Sequence, residues 1–89
     1  MDEYFFYSKS DCPYCEKIEG LFSQLASEGK IKYSFEKIED MKERNQIYDS
    51  LNLVGNKRTF PQVFAVLDGV KERIGDCSES YEAIKSMYE

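Results

Sequence analysis

Residues 3–15 read EYFFYSKSDCPYC, a short aromatic run that leads directly into two closely spaced cysteines. The run from Glu3 to Ser8 is typical of a strand that is buried on both faces. Proline suits the first position of a helix, so the segment predicts a helix that starts there with Cys12 at or beside its N-cap. An apolar stripe at helical spacing follows it, made of Ile18, Leu21, Phe22 and Leu25. Strand, turn and amphipathic helix form the first half of a βαβ unit.

Residues 31–60 predict a second strand and a second helix. Apolar and polar residues alternate over 31–36, the pattern of a half-buried strand. Asp40 followed by Glu43 resembles a capping box. The helix behind it is predicted to span about Met41 to Leu53 and to stop at Gly55.

Residues 62–89 predict a hairpin and a last helix. Asp68-Gly69 separates the two β-like runs Gln62 to Leu67 and Val70 to Ile74, a strong hairpin signal. The last helix starts at about Ser78, with Tyr81, Ile84 and either Met87 or Tyr88 on its apolar side. The chain is therefore an α/β domain of order β-α-β-α-β-β-α, whose hairpin closes the sheet.

Composition excludes several classes of protein. The chain has 89 residues, of which 42% are hydrophobic and 33% charged, and we expect one domain over residues 1–89. Three cysteines and no histidine exclude Ser/His and Cys/His nucleophile pairs and a four-thiolate metal cage within one chain. The opening residues lack the pattern of a signal peptide, and no stretch approaches membrane-spanning length. We expect a monomer in the reducing cytoplasm, where free thiols persist.

The net charge is −5, which argues against nucleic acid or an anionic membrane as a partner. The middle third of the chain is the only one that is not acidic. Any anion site is therefore expected to use Lys9, Lys57 and Arg58.

Cys12 and Cys15 form C-P-Y-C at a helix start, and this spacing suits thiol redox chemistry. Side chains at i and i+3 come within bonding distance, so a disulfide can open and close with little backbone movement. The free N–H groups of the first turn and the helix dipole stabilise a thiolate on Cys12. Cys12 is then the attacking thiolate, and Cys15 resolves the mixed disulfide. Two alternatives stay open at this point, namely a pair of ordinary buried cysteines and one half of a zinc site shared between chains.

Three motifs together resemble the dithiol glutaredoxins of the thioredoxin superfamily. Residues 7–15, Tyr-Ser-Lys-Ser-Asp-Cys-Pro-Tyr-Cys, are similar to the active-site segment of that family. Thr59-Phe60-Pro61 resembles its Thr-Val-Pro, and residues 74–78 resemble its Gly-Gly turn. The short length and the run TFPQVF are also similar to the glutaredoxin-like thioredoxins of bacteriophages. The resemblance implies a thioredoxin fold with a four-stranded mixed sheet and three helices, reduction of disulfides with glutathione, and electron supply to enzymes such as ribonucleotide reductase.

The resemblance also implies a binding site for glutathione or substrate around the thiols. In this family Pro61 is cis, and the backbone of Phe60 pairs with the bound peptide as an added strand. The full set of candidate binding residues is Lys9, Tyr14, Arg58, Thr59, Phe60, Pro61, Gly75, Asp76, Cys77 and Ser78. Lys9 is a candidate either to stabilise the Cys12 thiolate or to bind a carboxylate of glutathione, and Arg58 is a second candidate partner for a carboxylate. The main chain of Cys77 and Ser78 is a candidate anion site.

Two departures from the family pattern concern charge. Asp76 replaces the second glycine of the Gly-Gly turn. Its carboxylate is expected either to weaken glutathione binding or simply to cap the last helix together with Glu79. Glu16 stands where many relatives carry a basic residue. Together with Asp11 it is expected to raise the pKa of Cys12 relative to that of such a relative.

The leading hypothesis is a glutathione-dependent thiol-disulfide oxidoreductase that holds no permanent cofactor or metal. A first alternative keeps the chemistry but receives electrons from thioredoxin reductase. A second is a non-catalytic module that holds an iron–sulfur cluster between subunits, which Pro13 and Cys15 argue against. A third is a scaffold subunit with a vestigial site. Cys77 is most simply a small half-buried residue, with a modifiable thiol as the alternative.

Overall fold

Strands and helices follow one another in the predicted order. The computed structural model describes residues 1–89. Its elements are β1 (Asp2–Ser8), α1 (Pro13–Ser27), β2 (Ile31–Lys37), α2 (Met41–Ser50), a 3₁₀ turn (Gly55–Lys57), β3 (Gln62–Leu67), β4 (Val70–Gly75) and α3 (Cys77–Met87). No helix is both long enough and apolar enough to cross a membrane.

The four strands form one mixed sheet in the order β2-β1-β3-β4. β1 pairs in parallel with β2 and antiparallel with β3, and β3 pairs antiparallel with β4. β1 is thus a central strand, and its residues Tyr4, Phe5 and Phe6 are all buried. Both the predicted mixed sheet and the burial of the first strand are confirmed.

The main core lies between the sheet and the helices α1 and α3. Successive residues of a strand point to opposite faces, and Tyr4 and Phe6 of β1 face this layer. The buried cluster consists of Tyr4, Phe6, Ile18, Leu21, Phe22, Leu25, Ile31, Val63, Cys77 and Ile84. The apolar stripe predicted for the first helix supplies four of its members.

A smaller core surrounds the two cysteines at the carboxyl end of β1. It consists of Cys12, Cys15, Ile38, Tyr48, Leu53 and Phe60. Tyr48 is the one buried residue of α2. The disulfide loop is therefore packed against α2 and against the segment that precedes β3.

The β3–β4 hairpin turns at Asp68-Gly69 as predicted. Both residues have positive φ angles, 52° and 78°. This is the backbone that a tight two-residue hairpin requires, and Asp-Gly adopts it readily.

The second helix ends earlier than predicted. α2 stops at Ser50, and Asn52 rather than Gly55 is the first residue beyond it with a left-handed backbone, at φ 58°. Asparagine tolerates this conformation because its short polar side chain bonds locally. Asp40 is the N-cap as predicted, and its carboxylate accepts a hydrogen bond from the N–H of Lys42 at 2.8 Å, but Glu43 does not complete the predicted capping box.

The apolar contact expected of Phe35 is only partly made, whereas the expectation that either Met87 or Tyr88 faces the core is confirmed. Phe35 stacks on Phe6 but is 38% exposed, because β2 is an edge strand. On α3, Met87 is exposed, and Tyr88 instead packs against the core. The hydroxyl of Tyr88 is hydrogen-bonded to that of Tyr4 at 3.0 Å, which links the end of the chain to β1.

Candidate active site

Cys12 is the N-cap of α1, and Pro13 occupies the first helical position. Cys12 has an extended backbone, with φ −123° and ψ 94°. This conformation turns its side chain back over the first helical turn, where the N–H of Cys15 donates to the Cys12 sulfur at 3.2 Å. The sequence prediction of the cap residue is confirmed.

The two cysteines form a disulfide in this structure. Their Cα atoms are 5.2 Å apart, within the range that a disulfide spans without backbone movement. Both residues are buried, with exposed fractions of 3% for Cys12 and 2% for Cys15. Of these two cysteines, only Cys12 lines the groove described next.

A groove of about 480 Å³ opens beside Cys12. Its lining comprises Lys9, Asp11, Cys12, Pro13, Tyr14, Tyr48, Asn56, Arg58, Thr59, Phe60, Pro61, Asp76, Cys77 and Ser78. Ten of the twelve predicted site residues are therefore brought together on one surface. The other two, Cys15 and Gly75, are buried and do not line the groove.

One wall of the groove is the segment Thr59-Phe60-Pro61. The Phe60–Pro61 peptide bond is cis, as the family resemblance implies. The carbonyl oxygen of Phe60 lies 3.7 Å from the sulfur of Cys12. The ring of Phe60 packs on that of Tyr48, with 5.2 Å between centroids, so this wall is anchored to α2.

A second wall of the groove is the amino-terminal turn of α3. Asp76 is its N-cap and accepts a hydrogen bond from the N–H of Glu79 at 3.0 Å. The carboxylate of Glu79 in turn accepts from the N–H of Asp76 at 3.2 Å, which completes a capping box. The expectation that Asp76 and Glu79 cap the last helix is confirmed.

The carboxyl group of Asp76 carries a negative charge at the groove. Burial acts to raise its pKa, but hydrogen bonds from Ser78 and Glu79 and the charge of Lys57 outweigh it, so the pKa is lowered. Lys57 does not line the groove itself.

Gly75 is required by the same turn. Its φ is 151°, and a Cβ atom there would lie 2.7 Å from the Cβ of Glu79. A side chain at this position would collide with the capping box, so the glycine of the motif has a steric cause.

The two groove cations differ in their surroundings. Lys9 is half-buried at the groove, three residues before Cys12. Arg58 forms an ion pair with Asp49, and its Nε donates to the carbonyl of Leu53 at 2.9 Å. Arg58 is therefore already engaged with the end of α2, which leaves Lys9 as the less constrained cation.

Tyr14 is exposed as predicted, whereas Cys77 is more buried than the half-buried position predicted from the sequence. Tyr14 is 65% exposed at the groove, and Cys77 is a buried free cysteine. Burial raises the pKa of the Cys77 thiol; the charge of Lys17 opposes this shift and that of Asp76 adds to it. A raised pKa keeps this thiol protonated and slow to react at neutral pH.

Sequence reasoning did not find two of the groove residues, Tyr48 and Asn56. Tyr48 lies on the weakly amphipathic helix α2, where spacing favours Ile47 and Leu51 as the apolar positions. Asn56 belongs to a turn with no periodic signal. No group of three or more His, Cys, Asp or Glu side chains is arranged to hold a metal ion.

Comparisons with known proteins agree with this geometry. A profile of the glutaredoxin family matches residues 5–70. Glutaredoxin-1 of the pig, Sus scrofa, is 36% identical over 74 residues, which cover 82% of this chain and 64% of the pig protein. The match thus spans less than two thirds of the pig protein.

Solved structures are similar over most of the chain. Glutaredoxin 1 from Francisella tularensis, complexed with cacodylate, has a TM-score of 0.68 and 26% identity, and both chains are covered completely. The holo form of glutaredoxin C1 from Populus tremula x tremuloides has a TM-score of 0.62 and 24% identity, with 93% of this chain and 74% of that chain covered. Oxidised thioredoxin O2 from Arabidopsis thaliana, at 17% identity and a TM-score of 0.53, shares the fold over 100% of this chain and 76% of its own.

Proposed function

The chain belongs to the glutaredoxin family, and from this premise we propose that it is a thiol-disulfide oxidoreductase with Cys12 as nucleophile and Cys15 as resolving thiol. The observation that carries the proposal is the N–H of Cys15 directed at the Cys12 sulfur at a helix start, 3.2 Å away. That donor and the helix dipole favour the thiolate of reduced Cys12.

The proposed reaction starts from the dithiol. The Cys12 thiolate attacks one sulfur of a substrate disulfide, a mixed disulfide forms, and the first substrate thiolate leaves. Cys15, deprotonated, then attacks the Cys12 sulfur and releases the second substrate thiolate. The substrate gains two electrons, and the protein ends with the Cys12–Cys15 disulfide. Two molecules of glutathione return it to the dithiol and become glutathione disulfide.

The groove suits a peptide that carries carboxylates, as glutathione does. Lys9 is a cation that lies close to the dithiol, and the main-chain N–H groups of Cys77 and Ser78 open the helix α3. In this proposal the backbone of Phe60 pairs with such a peptide as an added strand. We include disulfide-containing proteins among the substrates, with ribonucleotide reductase as the partner that the family resemblance implies, and place the reaction in the cytoplasm.

A second candidate function keeps this chemistry but uses thioredoxin reductase as the source of electrons. The Asp76 carboxylate favours it, because this charge stands at the turn where the family binds a carboxylate of glutathione. Repulsion there weakens glutathione as reductant without affecting a protein reductant.

A coupled NADPH assay tests both functions. One arm contains glutathione with glutathione reductase, the other contains thioredoxin reductase, and both use a small glutathione mixed disulfide and a protein disulfide as substrates. We expect Cys12→Ser to abolish turnover with both substrates. Cys15→Ser is expected to retain turnover of the glutathione mixed disulfide and to lose that of the protein disulfide.

Full activity of Cys12→Ser would overturn the assignment of the nucleophile. Turnover only with thioredoxin reductase would select the second candidate, and turnover only with glutathione would select the first.

A further inference from the structure

Gln62 carries a polar side chain that is completely buried, with an exposed fraction of 0%. A buried amide is costly unless both of its ends are hydrogen-bonded. Its Nε2 donates to the carbonyl of Thr59 at 2.6 Å, and its Oε1 accepts from the Nε of Arg73 at 2.8 Å. The amide is therefore fixed at both ends and has one orientation.

The contacts continue from Arg73 to the other wall of the groove. A terminal nitrogen of Arg73 lies 3.8 Å from the Oε1 of Glu79. That same oxygen accepts from the N–H of Asp76 in the capping box of α3, at 3.2 Å. A continuous chain of polar contacts thus joins Thr59 on one wall to Asp76 on the other, and we call it the Gln62–Arg73 relay.

The relay runs behind the groove. Thr59 and Asp76, at its ends, line the groove, whereas Gln62, Arg73 and Glu79 do not. Gln62 therefore acts through the Thr59 carbonyl, which belongs to the peptide bond between Thr59 and Phe60. The carbonyl of Phe60 is in turn 3.7 Å from the Cys12 sulfur.

We infer that Gln62 and Arg73 are positioning residues that set the spacing between the two walls of the groove. The inference rests on the proposed function, because it concerns how a disulfide substrate is seated beside Cys12. Loosening the relay lets the Thr59-Phe60-Pro61 wall move relative to α3 and weakens substrate binding. The contact between the Cys15 N–H and the Cys12 sulfur lies within α1 and does not depend on the relay.

Two variants break the relay at different points. Gln62→Glu keeps the size of the side chain and strengthens its contact with Arg73, but replaces the N–H donor to Thr59 by an acceptor. Arg73→Met keeps much of the length and removes both polar contacts, and because Arg73 is partly exposed the variant is expected to fold. Arg73→Lys tests rescue, since an ammonium can still donate to Gln62. The control is Lys71→Met, which removes the same charge from the same strand outside the relay.

The measurement is steady-state reduction of a glutathionylated peptide, together with the pH profile of Cys12 alkylation in the reduced protein. For Gln62→Glu and Arg73→Met we expect KM to rise by about three- to tenfold, with kcat changed by less than about twofold. Arg73→Lys is expected to recover part of the loss, and Lys71→Met to keep the wild-type KM. The alkylation profile should be the same in all of them. Thermal unfolding checks that each variant is folded at the assay temperature.

Unchanged KM in folded Gln62→Glu and Arg73→Met, with an active wild type, would overturn this inference and leave the proposed function standing. A KM that rises together with a shifted alkylation profile would also overturn it, because the relay would then act on the thiolate through a general loosening of the site. A wild type that reduces no disulfide would overturn the proposed function, and the positioning role with it.

Discussion

The main-chain N–H of Cys15 lies 3.2 Å from the sulfur of Cys12, inside the first turn of α1. A hydrogen bond to the charged form and the positive end of the helix dipole both favour a thiolate. In the reduced protein we expect the pKa of Cys12 to be lower than that of an ordinary cysteine. The rate of iodoacetamide alkylation should therefore reach its plateau at a lower pH than the rate for free cysteine.

Cys77 is the internal comparison for this experiment. Its pKa is raised by burial, so in a Cys12→Ser, Cys15→Ser background we expect slow alkylation that increases only at alkaline pH. A Cys12 profile that coincides with that of free cysteine would contradict the role assigned to the helix start.

Gly75 and Gly20 allow a matched test of the turn before α3. A Cβ at Gly75 would lie 2.7 Å from the Cβ of Glu79, and the backbone there has φ 151°. We expect Gly75→Ala to lower the free energy of unfolding by about 1–3 kcal/mol through strain and loss of the capping box. Urea denaturation followed by circular dichroism measures it.

Gly20 lies within α1, and a Cβ there would meet no atom within 4 Å. Gly20→Ala is expected to raise the free energy of unfolding by about 0.5–1 kcal/mol, because glycine is a poor helix former. If Gly75→Ala were as stable as the wild type, the steric explanation of this glycine would be wrong.

Asp76 is expected to reduce affinity for glutathione. Its carboxylate is charged at neutral pH and lies at the groove. Replacing this N-cap residue by glycine is expected to cost only a few tenths of a kcal/mol of stability. Asp76→Gly should therefore lower the KM for a glutathione mixed disulfide by about threefold, the effect of removing roughly 0.7 kcal/mol of repulsion between partly solvated charges.

Measurements at different ionic strengths show whether the effect of Asp76→Gly on KM comes from lost charge repulsion or from a changed shape of the groove. Salt screens exposed charges, so the ratio of wild-type to Asp76→Gly KM should approach one as the salt concentration rises to about 1 M. Asp76→Asn, which keeps the size of the side chain, is expected to share most of the gain at low salt. A gain that persists unchanged at high salt would show that shape and not charge sets the affinity.

Local sequence signals predicted the parts of the site that depend on neighbouring residues. The Cys12 cap, the hairpin at Asp68-Gly69 and the Asp76–Glu79 capping box each involve residues within three or four positions of one another, and all three are present. The predicted end of α2 is wrong because Asn52 and Gly55 both adopt a left-handed backbone, and the local sequence does not show which of the two ends the helix.

The remaining parts depend on contacts between distant segments. Arg73 reaches Gln62 across the antiparallel pair of β3 and β4, in which Arg73 lies opposite Phe64, and no local sequence pattern predicts this register. In the same way, the ion pair between Arg58 and Asp49 forms because the chain that follows α2 turns back toward that helix. These contacts become visible only when the strand register and the helix end are known.

Tyr88 links the carboxyl terminus to β1 in a way that predicts a dependence of stability on alkaline pH. Its hydroxyl donates to Asp2 and contacts that of Tyr4 at 3.0 Å. Burial and these hydrogen bonds raise the pKa of Tyr88 above its ordinary value of 10.0. As the pH rises, the unfolded chain loses the Tyr88 proton at a lower pH than the folded chain does. The contribution of Tyr88 to the free energy of unfolding is therefore complete below pH 10.0 and declines as the pH rises above it.

Tyr88→Phe is expected to lower the free energy of unfolding by about 1 kcal/mol near pH 8, because it removes the hydrogen bonds and keeps the ring. It should also make the decline between about pH 10 and about pH 11 shallower without abolishing it, since the pKa values of Tyr7 and Tyr48 are raised by burial as well. Urea titrations of both proteins across this range measure the two slopes. Equal slopes would mean that the Tyr88 proton is held no more tightly in the folded chain than in the unfolded one.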